Sequence, residues 1–280
     1  MVGLALALGS SLCWGVSDFL GGLQSRRLPL LRVMLVTQAV GLIGLGALVA
    51  VRGVPAPALH RLLPAIGGGV AGLIALTSFY RGLAIGTMSI VAPISATGVA
   101  VPVLVGIAGG ERPAALQIVG IVAAALGVVL ASREAGPGVV AGPQARASLG
   151  LALVAALGFG LFFVGVRSGA RADAWWAAFA ARSASTLLLC VAALGAPSAR
   201  RGSVRHLPPL VVVGVLDVGA NLLFALASRH GLLSVVSVLA SLYPLATVLL
   251  ARAILRERVR RVQEVGIVVA LSGVLLIAAG

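Results

Sequence analysis

The sequence predicts an all-α integral membrane protein: ten transmembrane helices forming two inverted five-helix repeats. Composition is the first reason. Of 280 residues, 60% are hydrophobic and 10% charged, where a soluble domain is about half apolar and a quarter charged. Mean hydropathy is +1.14. No single water-soluble core hides that much apolar surface, so the solvent is lipid. Segmentation is the second reason. Charges, Gly/Pro clusters and short polar stretches cut the chain into ten apolar runs, most close to the roughly twenty residues that cross a ~30 Å hydrocarbon core. The third is internal repetition. Glu111–Val128 and Glu257–Val274 agree at ten of eighteen positions, 146 residues apart. Five helices per copy is odd, so the second copy enters the membrane from the opposite side, which gives an inverted repeat.

The spans are expected near 3–23, 30–51, 62–83, 88–108 and 114–132 in the first half. Those of the second are expected near 148–167, 174–194, 207–228, 232–252 and 262–279. Domain boundaries follow: repeat one over 1–134, a Gly/Pro-rich linker over 135–146, and repeat two over 147–280. The first span carries Trp14–Gly15, answered in the sixth by Phe159–Gly160. The N-terminus lacks a basic region and a clear small-residue cleavage site, and reads as a retained helix.

Ionisable groups at membrane depth cost about 2.5–3.5 kcal/mol on insertion scales, so they face a cavity or a partner. Asp18 lies one helical turn from Trp14, on the same face of span one. It is either a carboxylate that binds a proton or cation, or an interfacial acid tied to Arg26 or Arg27. In span three, Tyr80 and Arg81 sit near the helix end, where Arg81 either snorkels to the headgroups or faces a cavity. Span four contains Pro93 and Pro102, and span nine contains Pro244. Each proline removes a backbone hydrogen bond, which makes a hinge beside a site or a simple kink.

Phe163 lies in span six. Trp175 and Trp176 open span seven as belt aromatics. Arg182, deep in that span, occupies roughly the place that Gln38 holds in span two. Asp217 and Asn221 share one face of span eight, and Asp217 either pairs with Arg182 or faces a cavity. Span nine holds Tyr243, and span ten is the second copy of the repeated block. Trp14, Tyr80, Phe159, Phe163 and Tyr243 serve either substrate stacking or helix packing. Small-residue spacings such as Gly68–Gly72, Gly106–Gly110 and Gly120–Ala124 read as packing faces.

The net charge of +14 would elsewhere suggest nucleic acid; here the arginines punctuate apolar runs as loop charges do. Fourteen fall in odd-numbered loops and six in even-numbered ones, with Arg182 inside a span, accounting for all 21. The positive-inside rule then puts both termini outside. Cys13 and Cys190 lie in apolar runs and indicate neither disulfide nor metal site. Absence of a Walker A sequence excludes ATP as a driver within this chain. Without GxSxG or HExxH, and with His60, His206 and His230 at loops, an intramembrane enzyme is disfavoured. No cofactor or catalytic residue is expected.

The duplicated ER-x-x-x-x-Q-x-x-G block (preceded by glycine in the first copy), the Trp14–Gly15 pair and Ser241–Pro244 (SLYP) resemble the EamA family of the drug/metabolite transporter superfamily, over nearly the whole chain. The resemblance implies a multi-pass permease of the bacterial cytoplasmic membrane. It would be a secondary transporter of small metabolites or drugs, more readily an exporter, working by alternating access. A flippase for a lipid-linked sugar or phosphate is the alternative. The resemblance also implies a cavity lined by spans one, three, four, six, eight and nine. Spans five and ten would be peripheral, and both termini cytoplasmic, against the arginine count. Its partners would be a small-molecule substrate, membrane lipid and protons as coupling ion, with the chain a monomer or homodimer. Asp18 followed by Gly21 also matches the spacing of an acid and glycine in the first helix of small multidrug resistance proteins.

Overall fold

A computed structural model of the chain describes residues 2–25, 28–85, 94–95, 97–131, 143–195, 207–255 and 261–280. Among these, every regular element is a helix. The first half contains α1 (Val2–Ser25), α2 (Leu30–Arg52), α3 (Leu59–Ile85), a 3₁₀ turn (Thr97–Val99), α4 (Ala100–Ala108) and α5 (Ala115–Ala131). The second contains α6 (Pro143–Ala170), α7 (Ala174–Leu194), α8 (Leu207–His230), α9 (Leu233–Ala240), α10 (Tyr243–Leu255) and α11 (Arg261–Ala279). Six of them, α1, α2, α3, α6, α7 and α8, are long and apolar enough to cross a membrane. Thr97–Ala108, Ala115–Gly127 and Glu264–Ile277 are shorter apolar stretches.

Some boundaries depart from expectation. Helix α6 starts at Pro143, inside the stretch read as linker. Proline suits a first helical turn, where its missing N–H leaves nothing unsatisfied, and Gln-Ala-Arg-Ala continues the helix. Span nine is two helices, interrupted at Ser241–Leu242. Pro244 stands in the first turn of α10, so it starts a helix there. Pro102 likewise falls in the first turn of α4, after the 3₁₀ turn. Pro93 lies outside the described residues.

Small residues decide how the helices approach. Helices α3 and α6 pack antiparallel: Gly68 meets the backbone of Gly165, Gly72 meets Phe162, and Gly158 meets Ala71 and Ala75. A Cβ on Gly158 would come within 2.7 Å of the Ala71 carbonyl oxygen. Helices α1 and α8 also run antiparallel. Gly3 abuts the His230 carbonyl, while Ser10 Oγ donates to the Ala220 carbonyl at 2.8 Å and Ser17 Oγ to that of Val213 at 3.2 Å. Helices α5 and α11 do the same through Gly120, Gly127 and Gly273.

Aligning the duplicated halves pairs α1 with α6, α2 with α7, α3 with α8, and α5 with α11. Helix packing obeys that exchange. Helix α3 packs on α6 and α7, as α8 packs on α1 and α2, while α2·α7 and α5·α11 each join a helix to its own counterpart. Reciprocity of this kind marks a two-fold arrangement. The main core draws on both halves, from Ala7, Leu45 and Ala65 to Phe163, Val166, Phe224 and Val236, and is rich in alanine along the seam between them.

Candidate functional site

A cavity of about 170 Å³ lies on that seam. Helices α1, α2, α3, α6, α7 and α8 wall it, together with Ser95, Val99 and the α9–α10 break at Ser241 and Tyr243. Among the described residues, none of those lining it comes from α5 or α11. The lining is wider than the six spans implied by resemblance. Met34, Thr37 and Gln38 of α2, and Ala181, Arg182 and Ser185 of α7, belong to it as well.

Of the side chains singled out in the sequence, Trp14, Asp18, Tyr80, Phe159, Phe163, Arg182, Asp217, Asn221 and Tyr243 all line the cavity. Arg81 does not: it is exposed, since a step of one residue turns it about 100° from Tyr80 on the helix. The described residues contain no group of three or more His, Cys, Asp or Glu able to hold a metal.

Both charged readings of Asp217 meet in one arrangement. Arg182, only 8% exposed, forms an ion pair with Asp217 Oδ2 and also donates to Gln38 Oε1. Asn221 Nδ2 donates to the Asp217 carbonyl at 2.6 Å and lies 3.4 Å from Oδ1. The guanidinium thus ties α2, α7 and α8 together at the cavity wall. Asp217, whose side chain is 27% exposed, reaches both its partner and the open space. Asp18 differs. Among the described residues it forms no ion pair, and it faces Asp217, Tyr80 and Tyr243 closely enough to interact with them electrostatically. Arg26 and Arg27, its alternative partners, lie outside the described residues.

One wall is aromatic. The Trp14 ring centroid lies 5.8 Å from that of Phe163, 6.2 Å from Phe162 and Phe224, and 6.3 Å from Tyr243. Phe79 meets Phe159 at 6.1 Å and Tyr80 at 5.8 Å. Such offset and edge contacts hold rings in fixed poses.

A sequence profile describing the EamA-like transporter family matches residues 1–133 and again 146–279. The chain belongs to this family. A search of curated proteins found no match. Among solved structures, one crystal structure superposes with a TM-score of 0.79 at 17% identity, over 98% of this chain and 95% of that one. At that identity the likeness is one of fold. Family membership makes the protein a multi-pass membrane transporter built from two repeats.

The EamA-like chain also places at the cavity, or between its halves, residues that were not among the site candidates. Ser17, Thr37, Ser95, Ser185 and Ser241 line the cavity; hydroxyls are common on membrane helices, and nothing in the spacing told which ones face inward. Glu111, first residue of the repeated block, reaches into the other half. Its carboxylate accepts from Leu233 N at 2.5 Å, Ser234 N at 3.0 Å and Ser234 Oγ at 2.8 Å. It therefore caps α9, the half-helix that runs down to the cavity. Gly106 makes room for it: a Cβ there would come within 2.9 Å of Glu111 Cδ.

A second contact between the halves lies at the end of α2. Arg52 grips Asp173 through two hydrogen bonds of 3.0 and 3.1 Å and stands 5.1 Å over the Trp175 ring. Asp173 also caps α7, accepting from Trp175 N and Trp176 N. Partial burial works to raise the Asp173 pKa. The Arg52 hydrogen bonds and charge, with the two capping N–H groups, outweigh it and hold the carboxyl below its usual range.

Proposed function

We propose that this protein is a secondary carrier that moves a small organic solute across the bacterial cytoplasmic membrane by alternating access. One observation carries the reading: a central cavity, walled by both halves, that holds ionisable side chains at membrane depth. The reading includes ten crossings, with the repeats inverted about an axis in the membrane plane. Antiparallel packing of α5 on α11 and of α3 on α6 supports this. So does the grouping of the chain ends with loops 53–58, 109–114, 171–173 and 231–232 at one end of the bundle. Export rather than uptake rests on family resemblance alone. A lipid-phosphate flippase is disfavoured because Arg182, the cation lining the cavity, is already committed to Asp217 and Gln38.

A cysteine-accessibility experiment tests the carrier without knowledge of its substrate. Cys13 and Cys190 are replaced by serine and Leu76→Cys is introduced on the cavity wall. A membrane-impermeant maleimide is expected to label the new thiol from either side of oriented vesicles. Labelling from one side only, or from neither, would sink alternating access. Proton coupling through Asp18 and Asp217 is a separable part of the proposal. Flux that ignores an imposed pH gradient and persists in Asp18→Asn/Asp217→Asn would remove it.

A further inference from the structure

The carrier reading leaves open what the cavity accepts, and its hydrogen-bond inventory narrows that. Several of the lining donors are spent, while the Gln38 amide, the Trp14 indole and the Tyr80 hydroxyl also line the cavity. Arg182 is committed to Asp217 and Gln38, and Asn221 Nδ2 to Asp217. The hydroxyls are turned the same way. Ser17 donates to the Val213 carbonyl, Thr37 to Met34, Ser95 to Ala152, Ser185 to Arg182 and Ser241 to Val238. Each oxygen keeps its lone pairs for the cavity. Formal charge points the same way: Asp18, Asp217 and Arg182 sum to minus one, and Asp18 is the carboxylate left without an ion pair among the described residues.

Hydroxyl oxygens able to accept, beside described charges that sum to minus one, call for a ligand with positive charge and N–H donors. The aromatic wall around Trp14 adds ring faces that attract cations. Size sets the remaining limit, since a ~150 Å³ apolar cavity holds benzene, and this one is about 170 Å³.

Resting on the carrier reading, we propose that the central cavity takes a protonated organic amine of about one-ring bulk, with Asp18 as counter-charge and the Trp14 aromatic wall against its body. Among the described residues that line the cavity anions meet no uncommitted cation, and a neutral alcohol of the same shape leaves the Asp18 charge uncompensated.

The test is calorimetric titration of the full-length protein in detergent with phenethylammonium, 2-phenylethanol and phenylacetate. Phenethylammonium is expected to bind saturably, at least tenfold more tightly than 2-phenylethanol, with phenylacetate unbound. Asp18→Asn is expected to weaken the amine at least tenfold, while Asp18→Glu, which keeps the charge, retains most of the affinity. Elution and thermal melting of each variant show whether it is folded. Three results overturn the proposal: phenylacetate binding as well as the amine, a folded Asp18→Asn binding it within threefold of the unsubstituted chain, or no saturable amine binding at all. Each leaves the carrier reading to the Leu76→Cys labelling, which can succeed when the amine fails.

Discussion

At the residue scale, charge placement dominates. Removing one member of a buried ion pair leaves the other uncompensated, which costs about 3–5 kcal/mol in soluble proteins. Arg182→Ala should fall near the lower end, about 3 kcal/mol, because Asp217 borders the cavity and water there relieves part of the penalty. Thermal melting should then show Arg182→Ala/Asp217→Ala losing less than the sum of the two single losses. Asp173 behaves differently because it lies outside the apolar spans. Its folded pKa is lowered, so its contribution is fully present above the unfolded value of about 3.9 and is lost as pH falls through the lower folded value. Asp173→Ala should cost ~1 kcal/mol or more at pH 7 from the cap alone. The charge-dependent part of the melting difference from the unsubstituted chain should begin to shrink as pH falls below about 4 and be lost only below the lower folded pKa. Asp18, Arg182 and Asp217 were legible in the sequence because an ionisable group in an apolar run needs a cavity or a partner, and Trp14 because it lies one helical turn from Asp18. Glu111 was not, since an acid in a loop is normally just solvated.

At the scale of elements, the helices themselves were legible, because hydropathy and length are properties of consecutive residues. Their interruptions were less so. Pro244 announced a break in span nine, yet the helix stops at Ala240 and the proline belongs to the turn that follows. Pro143 was read as punctuation and opens a helix instead. Helix α9 shows why such short pieces persist: eight residues are too few to be stable alone, and its N-terminus is held by a carboxylate from the other repeat. Glu111→Ala should therefore destabilise the protein by about 1–2 kcal/mol, and Glu111→Gln, which keeps one acceptor, by less; melting temperatures of the two variants check this. Glycine contacts give a companion expectation. Gly158→Val would drive side-chain atoms into the Ala71 carbonyl and Ala75, an overpacking cost of about 1–3 kcal/mol, visible as lost yield of folded protein or a lower melting temperature.

At the scale of the whole molecule, the repeat made the two-fold arrangement legible, since ten shared residues in eighteen specify which helix answers which. Which faces meet was hidden, because the apolar residues of a lipid-exposed helix carry no inward or outward mark. Topology is the quantity to measure here. In a chain with Cys13 and Cys190 replaced, Ala56→Cys and Arg171→Cys should react with an impermeant thiol reagent from one side of the membrane and Ala147→Cys from the other. The side from which the Ala147→Cys variant reacts decides between the arginine distribution, which makes that position cytoplasmic, and the family habit, which makes it external.

The line where α2 meets α7 is fastened unequally along its length. Near Arg52 it is clasped by opposite charges and an indole; at the far end Met34 and Leu189 lie in one apolar cluster. Added salt screens the first and, with kosmotropic ions, strengthens the second. Under the proposed alternating access, ionic strength is therefore expected to shift the resting balance between inward and outward mouths even when no solute is bound.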